Sequence, residues 1–106
     1  MSPVDEATRN EVAECLEQLA DQTVWDPELW QRCYDLVKAN WDNELLKYVH
    51  DDVIHYSGEF HSHNIFGFRV KPHRYQLENY RQEFRDIATA LRTSMSLSEA
   101  KKKYGL

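Results

Sequence analysis

The sequence predicts a mainly α-helical fold, a single-domain antiparallel bundle of about four helices with a short C-terminal helix. Two observations predict this fold class. Apolar residues recur at intervals of three and four along most of the chain, which is the spacing of one helix face. Residues that start or cap helices stand before these stretches. Because 106 residues are enough for one domain and too few for two that fold independently, the domain is expected to span residues 1–106.

The first helix is predicted from a start signal and an apolar stripe. Ser2 offers an N-cap hydroxyl, and Pro3 stands where the missing N–H costs nothing. The stripe that follows consists of Val12, Leu16, Leu19 and Thr23. The sequence Asp26-Pro27-Glu28 repeats the start signal, so the first helix is expected to end near Gln22.

The second and third helices are predicted from two further stripes. The second stripe consists of Trp30, Cys33, Val37 and Trp41. Asp42 is expected to cap the third helix, and Gly58 is expected to end it. The third stripe consists of Leu45, Val49, Val53 and Tyr56.

Residues 59–72 are predicted to form a short irregular or β-like insert. Phe60, Ile65 and Phe66 are residue types that favour strands, and Gly67 and Pro72 interrupt any helix. A strand, a hairpin and an ordered loop are all compatible with this pattern.

The last long helix is predicted over residues 74–94, because its apolar residues step regularly by three and four. These residues are Leu77, Tyr80, Phe84, Ile87 and Leu91. Ser96 and Glu99 have the spacing of a capping box, which starts a terminal helix that ends at Gly105. The predicted core includes Leu16, Leu19, Trp30, Val37, Leu45, Val49, Phe84, Ile87 and Leu91.

The composition, 42% hydrophobic and 29% charged residues, is typical of soluble globular domains. No run of apolar residues approaches the length of a membrane span, so we expect a cytoplasmic protein without membrane contact. Cys15 and Cys33 lack the spacing of a zinc or redox site, although a bridge between them is conceivable in antiparallel helices. Phosphate-loop and nucleophile-elbow motifs are absent, so we assign no catalytic residue and expect a protein without enzyme activity or cofactor.

A cluster of histidines and aspartates gives an alternative, a site for a divalent transition metal. Asp51 and His55 share one helix face, and His61 and His63 share one face of an extended segment. Imidazole and carboxylate groups suit zinc, iron or nickel. The simpler interpretation is that His55 pairs with an aspartate and the other two histidines are exposed, while His50 suits a hydrogen-bonded core position.

The charges are divided unevenly along the chain. Residues 1–57 hold 13 acidic and four basic residues, whereas residues 58–106 hold five acidic and nine basic residues. Four arginines on the last long helix fall on one side of it and could bind an anion, a nucleotide or a partner: Arg74, Arg81, Arg85 and Arg92. The simpler alternative is that Glu78 pairs with Arg81 and that the acidic helices pair with the other arginines. Nucleic acid is not expected as a ligand, because the whole protein is acidic.

We therefore predict a small acidic, non-enzymatic interaction protein, an adaptor, regulator or inhibitor that docks on a protein partner. Tyrosine and tryptophan are the side chains that most often anchor interfaces, and the chain has nine of them. The predicted interface aromatics are Phe60, Phe66, Phe68 and Tyr75, with Trp25, Tyr34 and Tyr48 as further candidates. A homodimer is also predicted, from the charge division, an unpaired edge in the insert and the stripe over Leu77–Leu91.

Overall fold

The computed structural model describes residues 5–62 and 73–106, and it describes side chains for residues 5–58 and 78–106. These residues form five helices and no strand, which confirms the mainly α bundle. The helices are α1 (Glu6–Asp21), α2 (Pro27–Ala39), α3 (Glu44–Ser62), α4 (His73–Arg92) and α5 (Leu97–Tyr104).

Two of the predicted helix starts are confirmed. Asp26 caps α2 with Pro27 as the first helical residue, and its Oδ1 accepts hydrogen bonds from the N–H groups of Glu28 and Leu29. Ser96 forms the predicted capping box with Glu99, and Gly105 ends α5 in the left-handed conformation that favours glycine.

The other two starts differ from the prediction. Asp5, not Ser2, caps α1, and its Oδ1 accepts from the N–H of Thr8 at 2.7 Å; Ser2 and Pro3 lie outside the described residues. Asn43 takes the place predicted for Asp42, because α3 begins at Glu44 and only the residue just before it reaches the free N–H groups. Its Oδ1 accepts from Leu45 and Leu46 at 2.9 and 3.3 Å.

Gly58 does not end α3, which continues to Ser62. A glycine favours a helix end when its backbone turns left-handed, and Gly58 does not adopt that conformation. Within a helix it costs only about 1 kcal/mol relative to alanine. Residues 59–62 of the predicted irregular insert are therefore helical, and residues 63–72 lie outside the described residues.

The helices pack in an antiparallel arrangement around one apolar core. Ion pairs join Glu17 to Arg92 and Asp21 to Arg85, so the chain runs in opposite directions along α1 and α4. Contacts of Trp30 with Val53 and of Tyr34 with His50 give the same antiparallel register for α2 and α3. The terminal helix α5 covers one end of the α3–α4 pair.

Eight of the nine predicted core residues are buried, and Trp30 is the exception because it lies half-buried at the edge of the core. Thr23 and Trp41 are exposed although each continues a predicted stripe. The reason is that α1 ends at Asp21 and α2 at Ala39, so both residues lie beyond the helix whose face they were assigned to. Both cysteines are buried and free.

None of the helices in the described part of the chain combines the length and the apolar character that crossing a membrane requires.

Candidate functional site

Aromatic side chains follow one side of α2 and continue onto α3. Trp30 and Tyr34 are four residues apart, one turn of α2, and their rings stack with centroids 5.3 Å apart and planes 6° from parallel. Trp30 is anchored at the core edge, because its indole Nε1–H donates to the Val53 carbonyl of α3 at 2.9 Å. The stacked pair is thus held in one orientation by the backbone of the neighbouring helix.

His50 connects this pair to Trp41. Its ring lies 5.6 Å from that of Tyr34, and Trp41 meets it edge-on at 4.4 Å. The His50 side chain is only 13% exposed, and its Nδ1 is 3.2 Å from Asp51 Oδ1. His50 therefore occupies the hydrogen-bonded, largely buried position that its place in the sequence suggests.

Apolar area remains open to solvent along this row. Trp41 is 40% exposed, and so is Ile54, which lies one turn beyond His50 on α3. Trp30 and Tyr34 are half-buried between them. We call these five residues, Trp30, Tyr34, Trp41, His50 and Ile54, the aromatic surface.

Two lysines lie over rings of the aromatic surface. Lys38 Nζ is 5.8 Å from the centroid of the Tyr34 ring, and Lys47 Nζ is 5.9 Å from that of Trp41. These distances are within the range of cation–π attraction. One face of each ring is thus in contact with a positive charge of the chain itself.

A second cluster of polar groups lies where α3, α4 and α5 meet. Tyr48 and Glu83 line an open cleft there, and Lys101 Nζ lies 5.3 Å from the centroid of the Tyr48 ring. Burial, followed by the hydrogen bond to Asp52 and the charge of that residue, raises the pKa of Glu83 to about 9, while hydrogen bonding to Tyr48 acts in the opposite direction. The raised pKa favours the protonated form of Glu83, whose hydrogen bonds to Asp52 and Tyr48 join α4 to α3.

The four arginines singled out in the sequence have different surroundings. Arg85 pairs with Asp21 at 2.9 Å and Arg92 pairs with Glu17, so both charges face carboxylates of α1. The Arg81 guanidinium pairs with Glu78 and donates to the Gln22 carbonyl, at the end of α1, and to the Tyr56 hydroxyl. Three of the arginines thus make the contacts of the simpler alternative, and the side chain of Arg74 lies outside the described ones.

The residues proposed for a metal are placed only in part. Asp51 and His55 are exposed on α3, and the described partner of Asp51 is His50. His61 lies in α3 with its side chain outside the described set, and His63 lies outside the described residues. Among the side chains that are described, no three His, Cys, Asp or Glu residues form a group that could hold a metal.

The four predicted interface aromatics fall on the part of the chain without described side chains. Phe60 belongs to α3 and Tyr75 to α4, whereas Phe66 and Phe68 lie outside the described residues. Trp30 was predicted in the core and Trp41 on the apolar stripe of the second helix, so neither was predicted as a surface residue. The signal that bears on Trp41 is the run Asn40 to Asn43, because residues of this type favour turns and caps over helix interiors.

No family model matches the chain, and neither a curated protein nor a solved structure is significantly similar to it.

Proposed function

We propose that the protein is a small, non-enzymatic interaction module that docks on a partner protein through the aromatic surface. One observation carries the proposal. Trp41 and Ile54 each expose 40% of their area, beside the half-buried rings of Trp30 and Tyr34. Isolated exposed apolar residues are normal on protein surfaces, but several in one place favour a contact with another molecule.

The aromatic surface has the properties of an interface anchor. Tryptophan and tyrosine bring large contact areas with few rotatable bonds, and they are the residue types that dominate binding energies at interfaces. The bond of Trp30 to the Val53 carbonyl and the stack on Tyr34 hold these rings before any partner arrives. A surface ordered in advance loses less side-chain entropy on binding.

As predicted from the sequence, the proposed partner is a protein and the proposed location is the cytoplasm. The proposed contact lies on α2 and α3, whereas the interface predicted from the sequence was Phe60, Phe66, Phe68 and Tyr75. The homodimer is a separate prediction. Phe84, Ile87 and Leu91 are fully buried in the chain's own core, so they support no self-contact. Arg85 and Arg92 already pair with carboxylates of α1 within the chain, so only the remaining charges can favour a dimer. Sedimentation equilibrium at low and high salt checks it.

The test is affinity capture from an extract of the cells that express the chain, with the wild type compared with Trp41→Ala and Ile54→Ser. A protein that binds the wild type and is lost with both variants supports docking through the aromatic surface. We expect Trp41→Ala to weaken the complex of the purified partner about tenfold or more, measured by isothermal titration calorimetry.

Lys102→Ala is the matched control for this experiment, because it removes an exposed side chain of α5 on another part of the molecule. It should retain every partner of the wild type. If the wild type, the two surface variants and the control recover the same proteins with the same affinity, docking through the aromatic surface is wrong.

A further inference from the structure

The aromatic surface lies in an acidic part of the chain. Residues 26–52 hold seven acidic and three basic residues, a net charge of −4. Asp35 follows Tyr34, Asp42 follows Trp41, and both aspartates are exposed. Within the described residues neither is paired with a lysine or arginine, since Asp35 accepts from Gln31 and Asp42 makes no ion pair.

A separate group of acidic residues lies on the side of α2 that faces α1. An open cleft between α1 and α2 has Leu36 and Ala39 among its lining residues, together with the carboxylates of Glu11, Glu28 and Asp35. Arg32 also lines it and pairs with Glu11 at 3.6 Å. Trp30 and Tyr34 contact α3 whereas the cleft faces α1, so of the acidic residues in the cleft only Asp35, which follows Tyr34, is assigned to the aromatic surface.

The rings themselves favour a cation. The faces of tryptophan and tyrosine rings are negative, and a positive group within about 6 Å of the centroid is attracted to them. Lys38 and Lys47 already lie over Tyr34 and Trp41 at that distance. Both are long, exposed side chains of the same molecule, so a cation from outside can displace them by a change of rotamer.

We propose that the aromatic surface binds a lysine- or arginine-rich segment of the partner protein, with cations on the faces of Trp41 and Tyr34, carboxylates at Asp35 and Asp42, and an apolar residue against Ile54. This inference rests on the proposed function and names the chemistry of the partner. An acidic segment would be repelled by the same carboxylates, and a purely apolar segment would leave them without counter-charges.

The test uses three short peptides with leucines at the same positions and arginine, glutamine or glutamate at the remaining ones. Binding to the full chain is followed by isothermal titration calorimetry. We expect the arginine peptide to bind most tightly, the glutamate peptide not to bind, and the affinity of the arginine peptide to fall at about 0.5 M sodium chloride, where exposed charges are screened.

Substitutions of Trp41 separate cation–π attraction from simple apolar contact. Trp41→Leu keeps apolar area without an aromatic face, and Trp41→Phe keeps an aromatic face. We expect the leucine variant to bind the arginine peptide about three- to fivefold more weakly than the phenylalanine variant. Thermal unfolding of both variants confirms that each is folded, since Trp41 is 40% exposed.

Two matched pairs test the charges. Asp42→Asn should weaken the arginine peptide about three- to fivefold, whereas Glu14→Gln makes the same charge change on an exposed part of α1 and should have a smaller effect. Lys47→Gln should strengthen binding several-fold because it removes the competing cation from Trp41. Lys102→Gln, the same change on α5, should strengthen it less.

The outcomes distinguish the inference from the proposed function. Equal binding of all three peptides, or tighter binding of the glutamine peptide, would show that the surface does not select a basic segment. If Trp41→Ala abolishes that binding, docking through the aromatic surface is still supported. Equal affinities for the leucine and phenylalanine variants overturn the cation–π contact. If the chain instead associates with itself, and Trp41→Ala abolishes that association, the occupant is a second copy and the inference is wrong.

Discussion

Two regions of the molecule use aromatic side chains in opposite ways. Between α1, α3 and α4, Tyr56 and Phe84 are fully buried and meet edge-on at 5.1 Å, and the Tyr56 hydroxyl donates to the Leu19 carbonyl. On the side of α2 that faces α3, Trp30 and Tyr34 stack with similar spacing but are only half-buried. The first region has closed its apolar area against other helices. The second has contacts that fix its rings and still leaves area for another molecule.

The comparison separates stability from binding. Removing a ring from the closed region leaves a cavity that its neighbours cannot fill, whereas removing a ring from the open region exposes little new apolar area. The substitutions that destabilise the fold most should therefore lie in the closed region, which exposes no aromatic area to a partner.

Phe84→Ala should lower the free energy of unfolding by about 3–5 kcal/mol, through lost burial and the cavity left behind. Trp41→Ala should lower it by less than about 1.5 kcal/mol, because its ring is 40% exposed and its ring contacts are those with His50 and Lys47. Urea denaturation measures both values. Similar losses for the two variants would contradict the division between a closed and an open region.

The stability of the bundle should also depend on pH, through Glu83 in the cleft where α3, α4 and α5 meet. Its pKa is raised from the ordinary 4.5 to about 9, so the folded state holds a proton that the unfolded state releases as pH rises above 4.5. The stabilisation is fully present below about pH 4.5 and is lost as pH rises toward 9. Glu83→Gln cannot lose a proton, and the partly exposed site should make it about 1–2 kcal/mol more stable than the wild type at pH 8.

Denaturation of wild type and variant from pH 4 to pH 9 measures this difference. The control is Glu14→Gln, an exposed residue of α1, whose stability should stay close to that of the wild type at every pH. A constant difference between Glu83→Gln and the wild type across the range would show that Glu83 titrates normally.

The start of α3 supports the open region, because this helix carries His50 and Ile54. Asn43→Ala should cost about 1 kcal/mol, since its Oδ1 accepts from two backbone N–H groups. Asp42→Ala should cost only a few tenths of a kcal/mol, because Asp42 caps nothing in the structure. Thermal unfolding of the two variants checks the assignment, and the reverse order of stabilities would restore Asp42 as the cap.

The smallest effect is expected at the ion pairs between α1 and α4. A double-mutant cycle on Arg85 and Asp21 should give about 0.2–1 kcal/mol, because both side chains are largely exposed, and the value should fall in high salt. Wild-type protein also serves to test the alternative that the arginines of α4 bind an anion. Arginines that pair with carboxylates should give no phosphate-dependent rise in Tm, whereas an anion site would produce one.

The pattern of apolar residues and caps determined the helices and most of the core. Leu16, Leu19, Val37, Ile87 and Leu91 are buried as their spacing predicts, because a helix face that recurs every three or four residues must be covered to be stable. The residues at which helices begin and end were harder to predict from the sequence. Asp42 and Asn43 are both good caps, and the difference between them depends on which backbone N–H groups each can reach.

Only the tertiary structure decided which aromatic residues remain open. Trp30 and Trp41 both extend the stripe of α2 in the sequence, yet one is anchored beside α3 and the other stands beyond the helix end. It also decided that Asp21 and Glu17 of α1 meet Arg85 and Arg92 of α4, pairings across 64 and 75 residues of chain that no local spacing encodes. Periodicity specifies a face, because it depends on neighbours in sequence. The exposure of a residue depends on which other helix packs on that face and on how far along the face the packing extends.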